Sequence, residues 1–199
     1  MRQAAACGPR GFARSALTAA LARLCIYAHL MPDEWDITED EVDSWLADWE
    51  AVDRATADYL AERIPGVRDV LADDEVRWLD ALGETISQSG EPRDGEIEAA
   101  SAVMALQHAD WLGLALGVAH RGQGNVLDPE LVQADIERLE EVDGEIEDPE
   151  GHLAVLSLAL LHLMPRWQDL GVLDDDQRLT QRGAWGLPRA LHRIWSEKG

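Results

Sequence analysis

The chain of 199 residues has two cysteines, Cys7 and Cys25. Two cysteines so placed cannot form a disulfide framework, and they are too few for a four-cysteine zinc site. Such sparse cysteine usage is typical of proteins in a reducing compartment. We therefore expect a cytoplasmic protein.

Long apolar runs are also absent. The longest uncharged apolar stretch, residues 153–164, has 12 residues, whereas a helix that crosses a bilayer needs about 20. At the same time, hydrophobic residues make up 46% of the chain, which is enough for a packed core. We expect a globular protein with no transmembrane segment and no membrane partner.

Lysine is nearly missing, since Lys198 is the single one, and acidic residues dominate. The net charge is −22, and it divides into +4 for residues 1–32, −27 for 33–150 and +1 for 151–199. A surface of this sign repels nucleic acid and favours basic partners. The composition predicts a protein partner, favours a basic one, and makes nucleic acid an unfavourable one.

Residues 1–32 contain four arginines and no acid, so an amphipathic targeting peptide is one interpretation. Arg23 interrupts the apolar run, which argues against a secretory signal. The other interpretation, which we favour, is an N-terminal helix that packs on the body behind a short arm.

Helical spacing dominates the rest of the chain. Apolar residues recur every three or four positions at Val42, Trp45, Leu46, Trp49, Val52, Tyr59, Leu60 and Ile64, which predicts an amphipathic helix. Thr38 and Glu41 form a capping box at its start, and Pro65 and Gly66 end it.

Further helices are predicted from Val67 to Ile86, over 96–111, and from Asp128 and Pro129, a cap followed by a proline in the first turn. The buried stripe of the helix that begins at Asp128 is provided by Leu131, Ile136, Leu139 and Val142. The next helix, 151–164, is apolar on nearly every side, which predicts a central place in the core. Pro165 should end or kink it.

These patterns predict a mainly α fold with short β-hairpin wings. The loop at 87–95, rich in serine, glycine, proline and charge, is the best candidate boundary. It divides the chain into helical units at 1–88 and 96–199, or else lies within one continuous domain. Either arrangement could be a monomer or a homodimer.

One segment, 152–195, has a familiar order of features. A helix is followed by Leu170-Gly171-Val172-Leu173, the acidic turn Asp174 to Asp176, Arg178-Leu179-Thr180, Gly183, Leu187-Pro188, Leu191 and Trp195. This order resembles the winged-helix-like tail of many uncharacterised bacterial proteins. The resemblance implies a hairpin wing and a closing helix capped by Thr180.

Many winged helices bind DNA through a basic helix and a basic wing. Here the helix before the wing lacks lysine and arginine, and the wing turn is three aspartates. Contact with phosphate would be repulsive. We therefore expect a winged helix used for packing or protein contact, and a DNA-binding transcriptional regulator is the alternative.

Catalytic and cofactor motifs are not evident. No two of the six histidines lie four residues apart, as helical zinc ligands do, and the acids are too numerous for any pair to point to acid–base chemistry. We expect no catalytic residue, no metal and no cofactor. An enzyme with an unrecognised site is a further alternative.

Four residues are candidates for partner binding: Trp35, Arg182, Arg189 and Arg193. Trp35 fits no apolar stripe, and the arginines have helical spacing, although Pro188 should restart the helix and leave only Arg189 and Arg193 in register. Alternatively, the arginines pair with the acidic middle segment. The function that we expect is non-catalytic protein–protein interaction in a regulatory or accessory role.

Overall fold

The computed structural model describes residues 39–87, 97–139, 146 and 148–196. Within these ranges the chain is mainly α-helical, as predicted, and the β-structure consists of isolated bridge pairs. The helices are α1 (Glu39–Arg63), α2 (Asp73–Ser87), α3 (Ile97–Ala105), α4 (His108–Arg121), α5 (Pro129–Glu137), α6 (Pro149–Asp169) and α7 (Gln181–Ser196).

Helix α1 begins directly after Thr38, the predicted cap, which itself lies outside the described residues. The buried side chains of its second half follow helical spacing, at Asp53, Thr56, Ala57 and Leu60. The helix ends at Arg63, and Gly66 turns the chain with a φ of 73°. Glycine adopts this left-handed conformation without strain.

The predicted start of the second helix at Val67 is wrong. The chain forms turns up to residue 70, and α2 begins at Asp73. Its first turn is Asp73-Asp74-Glu75, whose charges favour a helix N-terminus. The Glu75 carboxylate also accepts a hydrogen bond of 2.9 Å from the backbone N–H of Ala72.

The single helix predicted over 96–111 is two helices. α3 and α4 are separated by Leu106 and Gln107, and their axes differ by 86°. The carboxylate of Asp110, in the first turn of α4, accepts a hydrogen bond of 2.9 Å from the backbone N–H of Gln107. This local cap starts a new helix without a glycine or a proline.

Helix α6 is longer than predicted and less buried. It continues through Pro165 to Asp169, so Pro165 does not end it. One side is buried at Leu156, Ala159, Leu160, Leu163 and Trp167. Leu158 and Leu161, however, are 36% and 66% exposed, and the expectation of burial on nearly every side is wrong.

The segment between α6 and α7 pairs only at isolated bridges, Leu173 with Leu179 and Val126 with Arg178. The predicted cap is confirmed, because the Thr180 hydroxyl accepts a hydrogen bond of 2.9 Å from the N–H of Gly183. Asp128 likewise caps α5 through the N–H groups of Glu130 and Leu131.

The buried residues form one hydrophobic cluster that includes side chains from before and after residues 88–96. Trp167 is fully buried in it, and its indole N–H donates a hydrogen bond of 2.8 Å to the hydroxyl of Thr85. Helices α1 and α2 pack on α7. The division into units at 1–88 and 96–199 stays a prediction.

Candidate functional site

Three of the four candidate residues lie on α7. The helix runs through Pro188, so the expected restart at this proline is wrong. Arg182, Arg189 and Arg193, separated by seven and four residues, therefore share one face of a continuous helix. Trp35 lies outside the described residues.

Arg189 is the buried member of this set, at 9% exposure. Its guanidinium donates hydrogen bonds to the carbonyl oxygens of Trp185 at 2.8 Å, Gly66 at 3.0 Å and Pro65 at 3.4 Å. Burial lowers the pKa of Arg189, while the charges of Asp69 and Glu75 act in the opposite direction. Arg189 thus links the turn after α1 to α7 through hydrogen bonds.

The other two arginines also contact their own chain. The Arg193 guanidinium forms an ion pair of 2.8 Å with Asp80 of α2, and Arg182 lies 4.2 Å above the ring of Trp78. Pairing with the acidic middle segment is therefore present at Arg193. A role for the three arginines in binding a partner stays a prediction.

Among the side chains that the structure describes, four tryptophans are buried: Trp78, Trp111, Trp167 and Trp195. Trp185 is half-buried on α7, with its ring 6.3 Å from that of Trp78. The Trp78 indole N–H donates a hydrogen bond of 2.8 Å to the carbonyl of Leu170. These rings hold α2, α6 and α7 together at one end of the molecule.

An open cleft of about 540 Å³ lies where the second half of α1, residues 67–71 and the end of α7 meet. We call it the α7 cleft. Its apolar lining is Ala57, Val67, Val70, Leu71 and Val76, and its polar lining is Arg54, Asp58, Arg68, Asp69, His192, Arg193 and Ser196. Val70 is fully exposed at its edge.

His192 is the buried polar group of the α7 cleft, at 9% exposure. Burial, with the positive charges of Arg68 and Arg193, lowers its pKa against the opposing effect of Asp58. These effects favour the neutral imidazole. His192 is not among the described residues whose buried side-chain nitrogen atoms lack a hydrogen-bond partner, and its side chain lines the open cleft.

Two histidine–aspartate pairs lie elsewhere and were missed by the sequence reasoning. His108 of α4 pairs with the buried Asp53 of α1, and His152 of α6 pairs with Asp110 of α4 at 3.1 Å. The hydrogen bond to Asp110 raises the pKa of His152. These pairs are 55 and 42 residues apart in sequence, so no local signal marks them.

Among the described residues no group of three histidine, cysteine or acidic side chains is placed to hold a metal ion. In the same residues no single helix is long and apolar enough to cross a membrane, while the bent pair of α3 and α4 passes that test by length and composition.

Comparison with known proteins gives no match to a family model, a curated protein or a solved structure.

Proposed function

We propose that this protein acts without catalysis, by binding a partner protein in the α7 cleft. The bound segment is basic and carries one bulky apolar side chain. The observation that carries the proposal is the combination, in one open cleft, of an apolar floor with His192, a mostly buried histidine whose side chain lines the cleft.

The apolar lining supports the choice of an apolar anchor. Val67 and Ala57 form the buried floor, and Val70 exposes its entire side chain beside them. Burial of such surface by a partner is worth about 25 cal/mol per Å². Interface hot spots are side chains that fill pockets of this kind.

The charges support a basic partner. The arginines of the lining are already paired within the chain, Arg68 with Asp58, Arg193 with Asp80 and Arg54 with Glu50. The carboxylate of Asp69 forms no salt bridge within the described residues, and the net charge of the chain is −22. A field of this sign raises the association rate of cationic segments.

The geometry at His192 favours binding over catalysis. Ser196 is the hydroxyl of the cleft lining, and it donates to the carbonyl of Arg193 at 3.4 Å rather than to His192. A nucleophilic serine requires an adjacent base. The imidazole is then available to hydrogen-bond a backbone or side-chain group of the bound segment.

We also propose that 152–195 is a winged-helix-like unit that serves packing rather than DNA binding. The bridge between Leu173 and Leu179 and the Thr180 cap support the unit. The exposed Asp174, Asp175 and Asp176 occupy its turn, where phosphate would be repelled. A mobility-shift assay at low salt tests the DNA-binding alternative, and we expect no shift.

The test of the main proposal uses three fluorescein-labelled peptides: a lysine-rich peptide with a central leucine, the same peptide with serine in its place, and a glutamate-rich peptide with the leucine. We expect anisotropy to detect binding of the first alone. The variant Val70→Ser should weaken it by about tenfold, or 1.4 kcal/mol.

The matched control is Val126→Ser, an exposed valine outside the α7 cleft, which should leave the affinity unchanged. Equal binding of the leucine and serine peptides, or an equal effect of the two valine substitutions, would show that the cleft is not the binding site.

A further inference from the structure

Helix α6 presents an apolar face that the described residues leave uncovered. The exposed positions Ala154, Leu158, Leu161 and Pro165 are spaced by four, three and four residues, so they lie along one side of the helix. Residues 151–165 contain no aspartate, glutamate, lysine or arginine in a chain of which these residues make up 28%. An exposed apolar stripe of this kind marks an interaction surface.

The neighbouring helix extends the same character. α3 packs against α6 and exposes Ile97 by 60% and Met104 by 43%. Two adjacent helices therefore each leave large apolar side chains in solvent. Isolated exposed leucines are ordinary, but paired helices with this pattern are typical of a surface that another helix covers.

Four contacts between the helices define the end of the molecule at which this face begins. Asp53 of α1 contacts His108, and Asp110 contacts His152 in the first turn of α6. Gly66, after α1, contacts Arg189, while Leu170, after α6, contacts Trp78 beside Trp185. Helices α1 and α6 thus run in the same direction.

The chain enters α1 at the end where the apolar face of α6 begins. Glu39 is 14 residues before Asp53, about 21 Å along the helix. The seven residues 32–38 can span up to about 25 Å when extended. This length covers the axial distance back to the level of Asp53.

We propose that residues 16–31 dock as a helix on the exposed face of α6. In helical register this segment aligns its apolar residues Leu17, Leu21, Leu24, Ala28 and Met31 on one side. The segment carries a single charged residue, Arg23, so an apolar contact suits it. The length of 16 residues gives about 24 Å of helix, enough to cover the four exposed positions of α6.

Native Cys25 provides the test, since it lies beside Leu24 at the edge of the docking stripe. In the full chain with Cys7→Ser, the variant Leu161→Cys should form an intramolecular disulfide with Cys25 under mild oxidation, identified by the linked peptides. The control Gln181→Cys places a thiol on an exposed residue at the start of α7, near the opposite end of α6, and should not form it.

A second measurement uses the full chain with both native cysteines replaced by serine and Leu161→Cys as the sole thiol. We expect Leu21→Asp with Leu24→Asp to speed its alkylation by about tenfold, as release of a docked helix does. Unchanged alkylation, together with no disulfide between positions 25 and 161, would overturn the proposal and favour a targeting peptide. A disulfide between two copies at position 161 would overturn it in favour of a homodimer.

Discussion

The imidazole Nε2 of His152 lies 3.1 Å from Oδ1 of Asp110, and this hydrogen bond joins the first turn of α6 to the first turn of α4. Both side chains are mostly buried, at 18% and 14% exposure. The same carboxylate caps α4 through the N–H of Gln107. Asp110 therefore supports the break between α3 and α4 as well as the position of α6.

The pH dependence of stability should reflect this pair. Because the folded pKa of His152 is raised above 6.5, its contribution is complete below the unfolded pKa and is lost as pH rises through the folded one. We expect His152→Gln to lower the free energy of unfolding by about 1.5 to 3 kcal/mol in mild acid. Urea unfolding across the neutral range should show that difference shrink with rising pH.

The control for His152 is His120→Gln, an exposed histidine on α4, which should show no such trend. A destabilisation by His152→Gln that stays constant across the same pH range would contradict the role of the charged pair.

The two arginines at the middle and end of α7 should differ in their response to salt. Arg189 donates to carbonyl groups and is buried, so Arg189→Ala leaves buried acceptors unpaired and should cost about 2 to 3 kcal/mol at any ionic strength. Arg193 pairs with the half-exposed Asp80. Arg193→Ala should cost at most about 1 kcal/mol, and salt should reduce that cost.

Thermal or urea unfolding at low and high salt measures both variants. A loss of stability in Arg189→Ala that disappears at high salt would show that the residue acts through screened charge rather than through its hydrogen bonds.

Sequence pattern predicted the caps of individual helices better than the lengths of the helices or their tertiary contacts. The Asp128 and Thr180 caps are confirmed because a cap depends on residues within three positions. Exposure of Leu161 was not predictable, since every side of that helix is apolar and the neighbours decide which side is buried. The pairing of His152 with Asp110 depends on the break at Gln107, which no glycine or proline marks.

Burial along α5 illustrates the same limit within one helix. Leu131 and Ile136 were both expected in the buried stripe, but Leu131 is 51% exposed and Ile136 is 1% exposed. We expect Ile136→Ala to cost about 2 to 5 kcal/mol and Leu131→Ala to stay within about 0.5 kcal/mol of the wild type. Equal losses in urea unfolding would contradict this assignment of faces.

Two helical glycines provide a matched pair for testing the packing of α7. A Cβ at Gly183 would lie 2.1 Å from the carbonyl oxygen of Val172, whereas one at Gly83 would lie 3.4 Å from Ile194, an ordinary contact. Alanine is favoured over glycine in a helix by up to about 1 kcal/mol. Gly83→Ala should therefore be neutral or stabilising.

Gly183→Ala should instead destabilise by about 1 to 3 kcal/mol, because backbone must move to admit the methyl group. Differential scanning calorimetry on the two variants decides the matter. A higher melting temperature for Gly183→Ala than for the wild type would mean that α7 does not approach Val172 as closely as described.

The most direct measurement of the proposed function is alkylation of a single thiol at the edge of the α7 cleft. In the full chain with both native cysteines replaced by serine, Val70→Cys is labelled with and without a saturating amount of the lysine-rich leucine peptide. We predict that the peptide slows labelling at position 70 by about tenfold and leaves Val126→Cys, its matched control, unaffected. Equal labelling rates at position 70 with and without the peptide would contradict the assignment of the α7 cleft as a binding site.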